Sequence, residues 1–594
     1  MAQKRQFNEG KRHFKKNKKQ KQSAGTGTGT TDGSNEEVLL ADVRQLLQDT
    51  KLAATSNEQD PKRELPEQWS EVDLTIRELS STGDGLAEKD GQVYVVPFTA
   101  PGDIITAKVV KHIPDQSYTL TDFLSVKTPS QHRTETPQCK YFAQCSGCQF
   151  QHLPYSYQLA HKKRIVEKAY ANFSNLPLSS IPAVRDTVGS PLQYGYRTKL
   201  TPHFDGPPMA RSERRAGAMP KWEGVPPIGF MLKGTRKTMD IEDCPIGTEA
   251  VRKGMRRERA RVTREIATYR RGATLLLRES TLRVEKDVTN GDEEHLGKAK
   301  SDEAESKTAN GDVSNVDKPV ASSDGLTDMV MEDRGEYMHQ KTCITDSKAT
   351  STEYVENFRF DNPAGSFFQN NNSILPSVTQ YIRDNILAPP THAASTSDPP
   401  QIKNLIDAYC GSGFFTVTLS SLFQNSIGID ISPQSIVSAR TNAGLNRLPE
   451  DSAQFIASDA NDLFAAITRE KFPPSETVVV IDPPRKGCDK DFVRQLLQYG
   501  PERVVYVSCN VHSQARDVGW LVQGVEEQAN GEDLPGKMQR GLYEIESLRG
   551  FDFFPQTGHV EGVAVLRKKR DGDEETVSGV LSGASAEAGV QRIL

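Results

Sequence analysis

The sequence predicts an α/β protein: a doubly wound parallel sheet in the C-terminal part, preceded by a small β-barrel of the OB type and a cysteine-bearing middle domain. Three observations carry that prediction. From Asn404 to Lys568, short apolar runs alternate with helical segments, the pattern of parallel strands covered on both faces. Between residues 68 and 128, short alternating stretches are separated by glycine-containing turns, as in a barrel of about five strands. Between these regions the chain gathers cysteines, prolines, glycines and positive charge.

Taken in order, residues 1–65 read as a disordered basic arm. Lys4 to Lys21 is dense in lysine and arginine and nearly free of acids, and a Gly/Thr repeat follows from Gly25 to Thr31. Such an arm suits contact with RNA, a nuclear address or a solvated tail. Apolar residues at helical spacing place a short helix around Val38–Leu47. In the barrel, residues 66–130, Val72, Leu74 and Ile76 share one face, and the runs 93–98 and 104–110 follow. In the middle domain, residues 131–365, the stretch 252–271 is basic and helical in pattern, and 273–284 is strand-like. From about Glu285 to Ser351 the chain is rich in Asp, Glu, Ser, Gly and Lys and poor in aromatics, which reads as a disordered insertion. The C-terminal domain, residues 366–568, has strand candidates at 404–408, 426–431, 453–457, 477–481 and 503–508. The runs 543–554 and 559–567 have no helix between them and read as a closing antiparallel pair. Residues 569–594 read as a disordered acidic tail.

Composition narrows the classes. A chain of 594 residues is too long for one core. With 36% hydrophobic and 26% charged residues it reads as soluble and globular with disordered portions. No run of about 18 apolar residues exists, so no membrane span is expected. No apolar stretch follows the N-terminal charges, which argues against a secretory signal. The arm is rich in Lys rather than Arg and Ser, so nucleus or cytoplasm is expected ahead of the mitochondrion. A monomer is expected. Eight cysteines are few and unevenly spaced, which favours metal or catalytic cysteines in a reducing compartment over a disulfide framework.

The motifs that bear chemistry follow the predicted strands. Asp407-Ala-Tyr-Cys-Gly-Ser-Gly413 lies between the first strand and a helix, where glycines let backbone approach a nucleotide-like ligand. Asp430 ends the second strand, about 20 residues on, where a carboxylate can accept from ribose hydroxyls. NAD and S-adenosylmethionine both fit this arrangement. Thr416 stands where a dinucleotide fingerprint wants a third glycine, which favours the donor that has no pyrophosphate to cradle. Asp482-Pro-Pro-Arg-Lys-Gly487 follows the fourth strand and sets a carboxylate on a stiff turn. Ser508-Cys-Asn510 follows the fifth, placing Cys509 before a helix N-terminus, a setting that lowers a thiol pKa. His559-Val-Glu-Gly562 places Glu561 between the last two strands. Taken singly, Cys509 reads as a buried small residue and Glu561 as a solvated turn acid.

Together these pieces resemble the tRNA and rRNA uracil-5-methyltransferase family, its fungal tRNA branch in particular. The resemblance rests on Phe367-Phe-Gln-Asn-Asn371, Asp407-Ala-Tyr-Cys-Gly-Ser-Gly413, Gly428-Ile-Asp430, Asp482-Pro-Pro-Arg485, Ser508-Cys-Asn510 and His559-Val-Glu561, in family order over about residues 354–568. It implies a class I, Rossmann-like methyltransferase domain that uses S-adenosylmethionine, and it likens the barrel to the RNA-binding TRAM domain. It implies Cys509 as nucleophile, Glu561 as proton acceptor, and Gln369, Tyr409, Asp430 and Asp482 as donor-binding positions. The family often has Glu where this chain has Asp430. The implied substrate is tRNA, methylated at carbon 5 of the T-loop uridine 54, with an rRNA uridine as the alternative. Tyr194-Gly-Tyr-Arg-Thr-Lys199 resembles a family segment on the RNA side, with Arg197 and Lys199 as phosphate contacts. Cys139, Cys145 and Cys148, spaced C-x5-C-x2-C, together with Cys244, resemble a family ligand set for a 4Fe-4S cluster; zinc or a vestigial site are the alternatives. Two other readings stay open: a tRNA-folding factor with dispensable catalysis, and a cytosine-5-methyltransferase. The latter family carries Pro-Cys where this chain has Asp482-Pro-Pro.

Overall fold

A computed structural model describes residues 33–53, 65–209, 212, 217–286, 328–387, 401–458, 470–529 and 532–570. The lysine-rich arm, the Gly/Thr repeat and most of the acidic tail lie outside these residues.

Apolar runs of β-branched residues make the central strands. Val478, Val479, Val480 and Ile481 are all buried, as a strand covered on both faces requires. The catalytic sheet has eight strands. In space they run Ala453–Ala457, Asn425–Asp430, Asn404–Ala408, Thr477–Ile481, Arg503–Ser508, Glu561–Lys568, Tyr543–Phe551 and Arg185–Val188. The first five are parallel, and Glu561–Lys568 enters antiparallel to both of its neighbours. Chain order therefore reverses between Asn404–Ala408 and Thr477–Ile481, a switch point that leaves a crevice at the strand C-termini.

Helices flank the sheet, and their ends are marked in the sequence. Ser432 caps the helix Pro433–Leu445 by accepting from Ser435 N at 3.2 Å, with Pro433 at its first position. Asp489 caps Lys490–Tyr499 by accepting from Phe492 N at 2.9 Å.

The N-terminal sheet has six strands over residues 71–128, one more than the expected five. The extra one is the two-residue strand Glu78–Leu79, which pairs with Gly85–Lys89 after a break at Ile76 and Arg77. Val72, Leu74 and Ile76 are buried together, as their spacing predicts. The N-terminal helix, Asn35–Ala53, is longer than its predicted core. It packs Val43 and Leu46 on Leu86, Val93 and Val95 of this sheet, while Val38 joins the core of the catalytic domain. Asp42 fixes its place, accepting from Ser81 N at 2.6 Å and pairing with Lys168 at 3.1 Å.

Two features of the middle region depart from expectation. Strands Val330–Asp333 and Tyr337–Ile344 lie inside the tract expected to be disordered, which corrects that expectation from Asp328 onward; residues 287–327 lie outside the described residues. Tyr337–Ile344 pairs along its whole length with Leu277–Glu285, which supplies the order that its polar composition hides. The middle region also reaches into the catalytic domain. Its strand Arg185–Val188 forms the edge of the catalytic sheet, and its helix Tyr155–Phe173 buries Ile165, Val166, Ala169, Tyr170 and Phe173 in the catalytic core. Among the described residues no helix is long and apolar enough to cross a membrane.

Candidate active site

A cavity of about 850 Å³ opens at the switch point. Gln369, Tyr409, Asp430, Asp482, Cys509 and Glu561 all border it, although they come from six separate segments.

The glycine turn forms the floor. Tyr409, Gly411 and Gly413 all have left-handed backbone, with φ of 64°, 54° and 86°. A Cβ built on Gly411 would meet nothing within 4 Å, so the main chain is bare toward the cavity. One wall of the turn is tied to Asp430, whose Oδ2 accepts from Gly411 N at 3.0 Å and whose Oδ1 accepts from Ser432 N at 2.8 Å. Each oxygen keeps a lone pair for a ligand hydroxyl. Thr416, in place of a third glycine, donates its backbone N–H and its hydroxyl to Asp407 Oδ2 at 2.8 and 2.6 Å. Asp407 is fully buried, and burial with the nearby Asp430 charge pushes its carboxyl up to about 7. The bare turn, the carboxylate at the second strand end and the absence of a pyrophosphate-type glycine all fit an adenosyl donor.

Asp482, Cys509 and Glu561 border the same cavity. Burial pushes the Asp482 carboxyl up to about 7, with a contribution from Asp407. Glu561 is buried and raised well above an ordinary carboxyl by desolvation and then by Asp482, while Arg485 opposes the rise. Cys509 corrects an expectation. Its helix, Val511–Gln523, does begin next to it, capped by Asn510. Nevertheless the thiol is pushed up to about 12, by desolvation and then by the charges of Glu561 and Asp482. Arg485 is the counterweight, lowering the thiol by charge and by a side-chain hydrogen bond.

Several cavity residues escaped the sequence reading. Arg485 was visible only as part of a motif, because its role depends on which thiol the fold sets beside it. Phe554 borders the cavity from the loop before Glu561, because the strand read from the sequence as 543–554 ends at Phe551. Of the two expected phosphate contacts, Arg197 borders the cavity, whereas Lys199 is turned inward. Its ammonium donates to the carbonyls of Gly365 and Ser366 at 3.2 and 3.0 Å, which braces the segment leading to Phe367 and Gln369.

Cys139, Cys145, Cys148 and Cys244 border a second cavity of about 240 Å³, and Arg197 borders both cavities. Burial raises all four thiols, Cys148 to about 12. Among the described residues, no group of three or more His, Cys, Asp or Glu side chains is disposed to hold a metal ion.

The sheet order, the bare glycine turn and the carboxylate that faces it define a class I methyltransferase that uses S-adenosylmethionine. Residues 355–569 match the family described as tRNA (Uracil-5-)-methyltransferase, and residues 67–114 match the TRAM domain. The chain is 40% identical over 541 residues to the tRNA (uracil(54)-C(5))-methyltransferase of Schizosaccharomyces pombe, covering 90% of this chain and 84% of that one. It is 38% identical over 519 residues to the Saccharomyces cerevisiae protein of the same name, covering 83% and 73%. The chain belongs to the tRNA (uracil-5-)-methyltransferase family. Its fold is shared with the Pyrococcus abyssi tRNA (uracil-54, C5)-methyltransferase solved with S-adenosyl-L-homocysteine. The TM-score is 0.52 at 21% identity, over 83% of this chain and 100% of the other.

Proposed function

We propose that the protein methylates carbon 5 of uridine 54 in the T-loop of tRNA, the position given in the names of its fungal relatives. The observation that carries this reading is a single cavity holding a thiol, a buried carboxyl and a donor-type glycine turn. Bound along Tyr409–Gly413, with Gln369, Asp430 and Asp482 around it, S-adenosylmethionine supplies an electrophilic methyl group.

Carbon 5 of uracil is a poor nucleophile, and Cys509 answers that. Its thiolate adds to carbon 6, and the displaced π pair makes an enolate whose carbon 5 would take the methyl as the donor's sulfur–methyl bond breaks, its electron pair staying on sulfur to leave S-adenosylhomocysteine. Glu561 then removes the carbon-5 proton; the carbon 5–carbon 6 double bond re-forms as the sulfur–carbon bond breaks. Burial suits Glu561 to this step, because it makes the carboxylate hold a proton more tightly than an exposed one would. The uridine must leave its stack to reach the cavity. Mass-spectrometric mapping of tRNA from a deletion strain tests the assignment. Loss of 5-methyluridine at position 54, restored by the intact protein and not by Cys509→Ala, is the expected result. An unmodified rRNA uridine with normal tRNA would refute it.

The four-cysteine cavity carries a second reading. Four thiolates are the donor set of a 4Fe-4S cluster, and also of zinc. That chemistry fits; the positions, not drawn together as ligands, do not yet form such a set. The methylation chemistry takes no step through that cavity.

A further inference from the structure

The loop between the last two strands, residues 552–560, ends at Glu561 and is held almost entirely by the middle region. Asp552 and Lys162 are both fully buried and form an ion pair. Lys162 Nζ also donates to the Phe554 carbonyl at 3.0 Å. Tyr155 donates its hydroxyl to Asp552 Oδ2 at 2.8 Å and accepts from Ser190 N at 2.7 Å. Gln158 and Gln556 exchange two hydrogen bonds of 3.1 Å, one through the Gln556 backbone N–H, and Gln556 sits in the left-handed region at φ 72°. Tyr196 donates to the Pro555 carbonyl at 3.1 Å.

We propose that Lys162, with Tyr155 and Gln158 on the same helix, is a positioning residue that sets Glu561 for removal of the carbon-5 proton. The inference rests on the function proposed above. Register links the two ends: Glu561 pairs across the sheet with Phe551, and Asp552 is the next residue. A shift at Asp552 therefore passes to Glu561 through adjacent backbone. The same clamp sets Phe554, which borders the cavity and packs on His559 with ring centres 6.0 Å apart. A buried ion pair is a poor way to gain stability, since apolar residues of similar volume often do as well. What it supplies is direction: the ammonium fixes one carboxylate and one carbonyl at once. Lys162 touches no reacting atom. In the step it supports, the carbon-5 proton passes to Glu561 and the electron pair of that bond re-forms the ring double bond as the thiolate of Cys509 leaves.

The test separates methyl transfer from release. Full-length Lys162→Met and Tyr155→Phe are each mixed with tRNA and labelled S-adenosylmethionine in a single turnover, beside the intact protein and Glu561→Gln. Lys162→Met strands the Asp552 carboxylate, so Tyr155→Phe, which keeps the ion pair, is the control for folding. The expected result is donor affinity and methyl transfer within about threefold of the intact protein, with release slowed by about tenfold or more in Lys162→Met and less in Tyr155→Phe, on the scale of a misplaced catalytic group. Methylated protein–tRNA adduct then accumulates on denaturing gels. If Glu561→Gln accumulates adduct and the two clamp variants release normally, or if every step falls equally, the clamp is structural and the proposal is wrong. If Glu561→Gln itself accumulates none, the proposed mechanism fails before the clamp is judged.

Discussion

Arg485 is a cation whose charge and hydrogen bond oppose the rise of the Cys509 thiol. Below about 12 the thiolate fraction grows tenfold per pH unit, so trapping by a 5-fluorouridine tRNA should speed up from pH 6 to 9. Arg485→Gln removes the lowering influence, raises the thiol further and should slow trapping at pH 7 by about tenfold, on the scale of a lost neighbouring charge. Higher pH should restore it. A rate equal to that of the intact protein at pH 7 would show that Arg485 does not tune the thiol. Asp430→Ala should weaken donor binding by about 1.5–3 kcal/mol, the scale of hydrogen bonds to a charged group, measured by calorimetry. At this scale the sequence was legible wherever chemistry sits in contiguous motifs: the six cavity residues named from their motifs border one cavity. It misled at Cys509, because helix proximity is visible in a sequence and the burial of two neighbouring carboxyls is not.

The turn after the first strand shows how elements hold the site. Asp407 sits near 7 when folded, against 3.8 for an exposed carboxyl, so the folded state binds more protons between those values. Its contribution to stability is full below about pH 3.8 and is lost as pH rises through about 7. Asp407→Asn should therefore flatten the decline of Tm between pH 5 and 8, and an unchanged slope would contradict the assignment. The N-terminal helix makes a second case. Asp42→Ala removes the acceptor for Ser81 and the partner of Lys168, and should cost about 1.5–3 kcal/mol in denaturant unfolding. Periodicity revealed this helix because its apolar stripe faces two cores. The strand Tyr337–Ile344 stayed hidden because its buried positions are His339 and Cys343, with Gln340, Lys341 and Thr342 between; such a strand is defined by its partner, not by its own pattern.

Across the whole molecule, the division at residue 365 read from the sequence understates how far the middle region builds the catalytic sheet. Its strand Arg185–Val188 pairs with Tyr543–Phe551, more than 350 residues later in the chain, and no local signal can announce such a pairing. The four cysteines are tested on intact protein purified without oxygen: about four iron and four sulfide per chain would establish a 4Fe-4S centre, stoichiometric zinc would establish the alternative, and neither would leave a thiol site. The central claim is that Cys509 opens the reaction and Glu561 closes it within one cavity. The most direct measurement is denaturing electrophoresis of Cys509→Ala and Glu561→Gln after reaction with tRNA and methyl-labelled S-adenosylmethionine. Cys509→Ala should give neither adduct nor methylated tRNA. Glu561→Gln should give a stable adduct that carries the label. Methylated tRNA from Cys509→Ala, or normal turnover without adduct from Glu561→Gln, would contradict the mechanism.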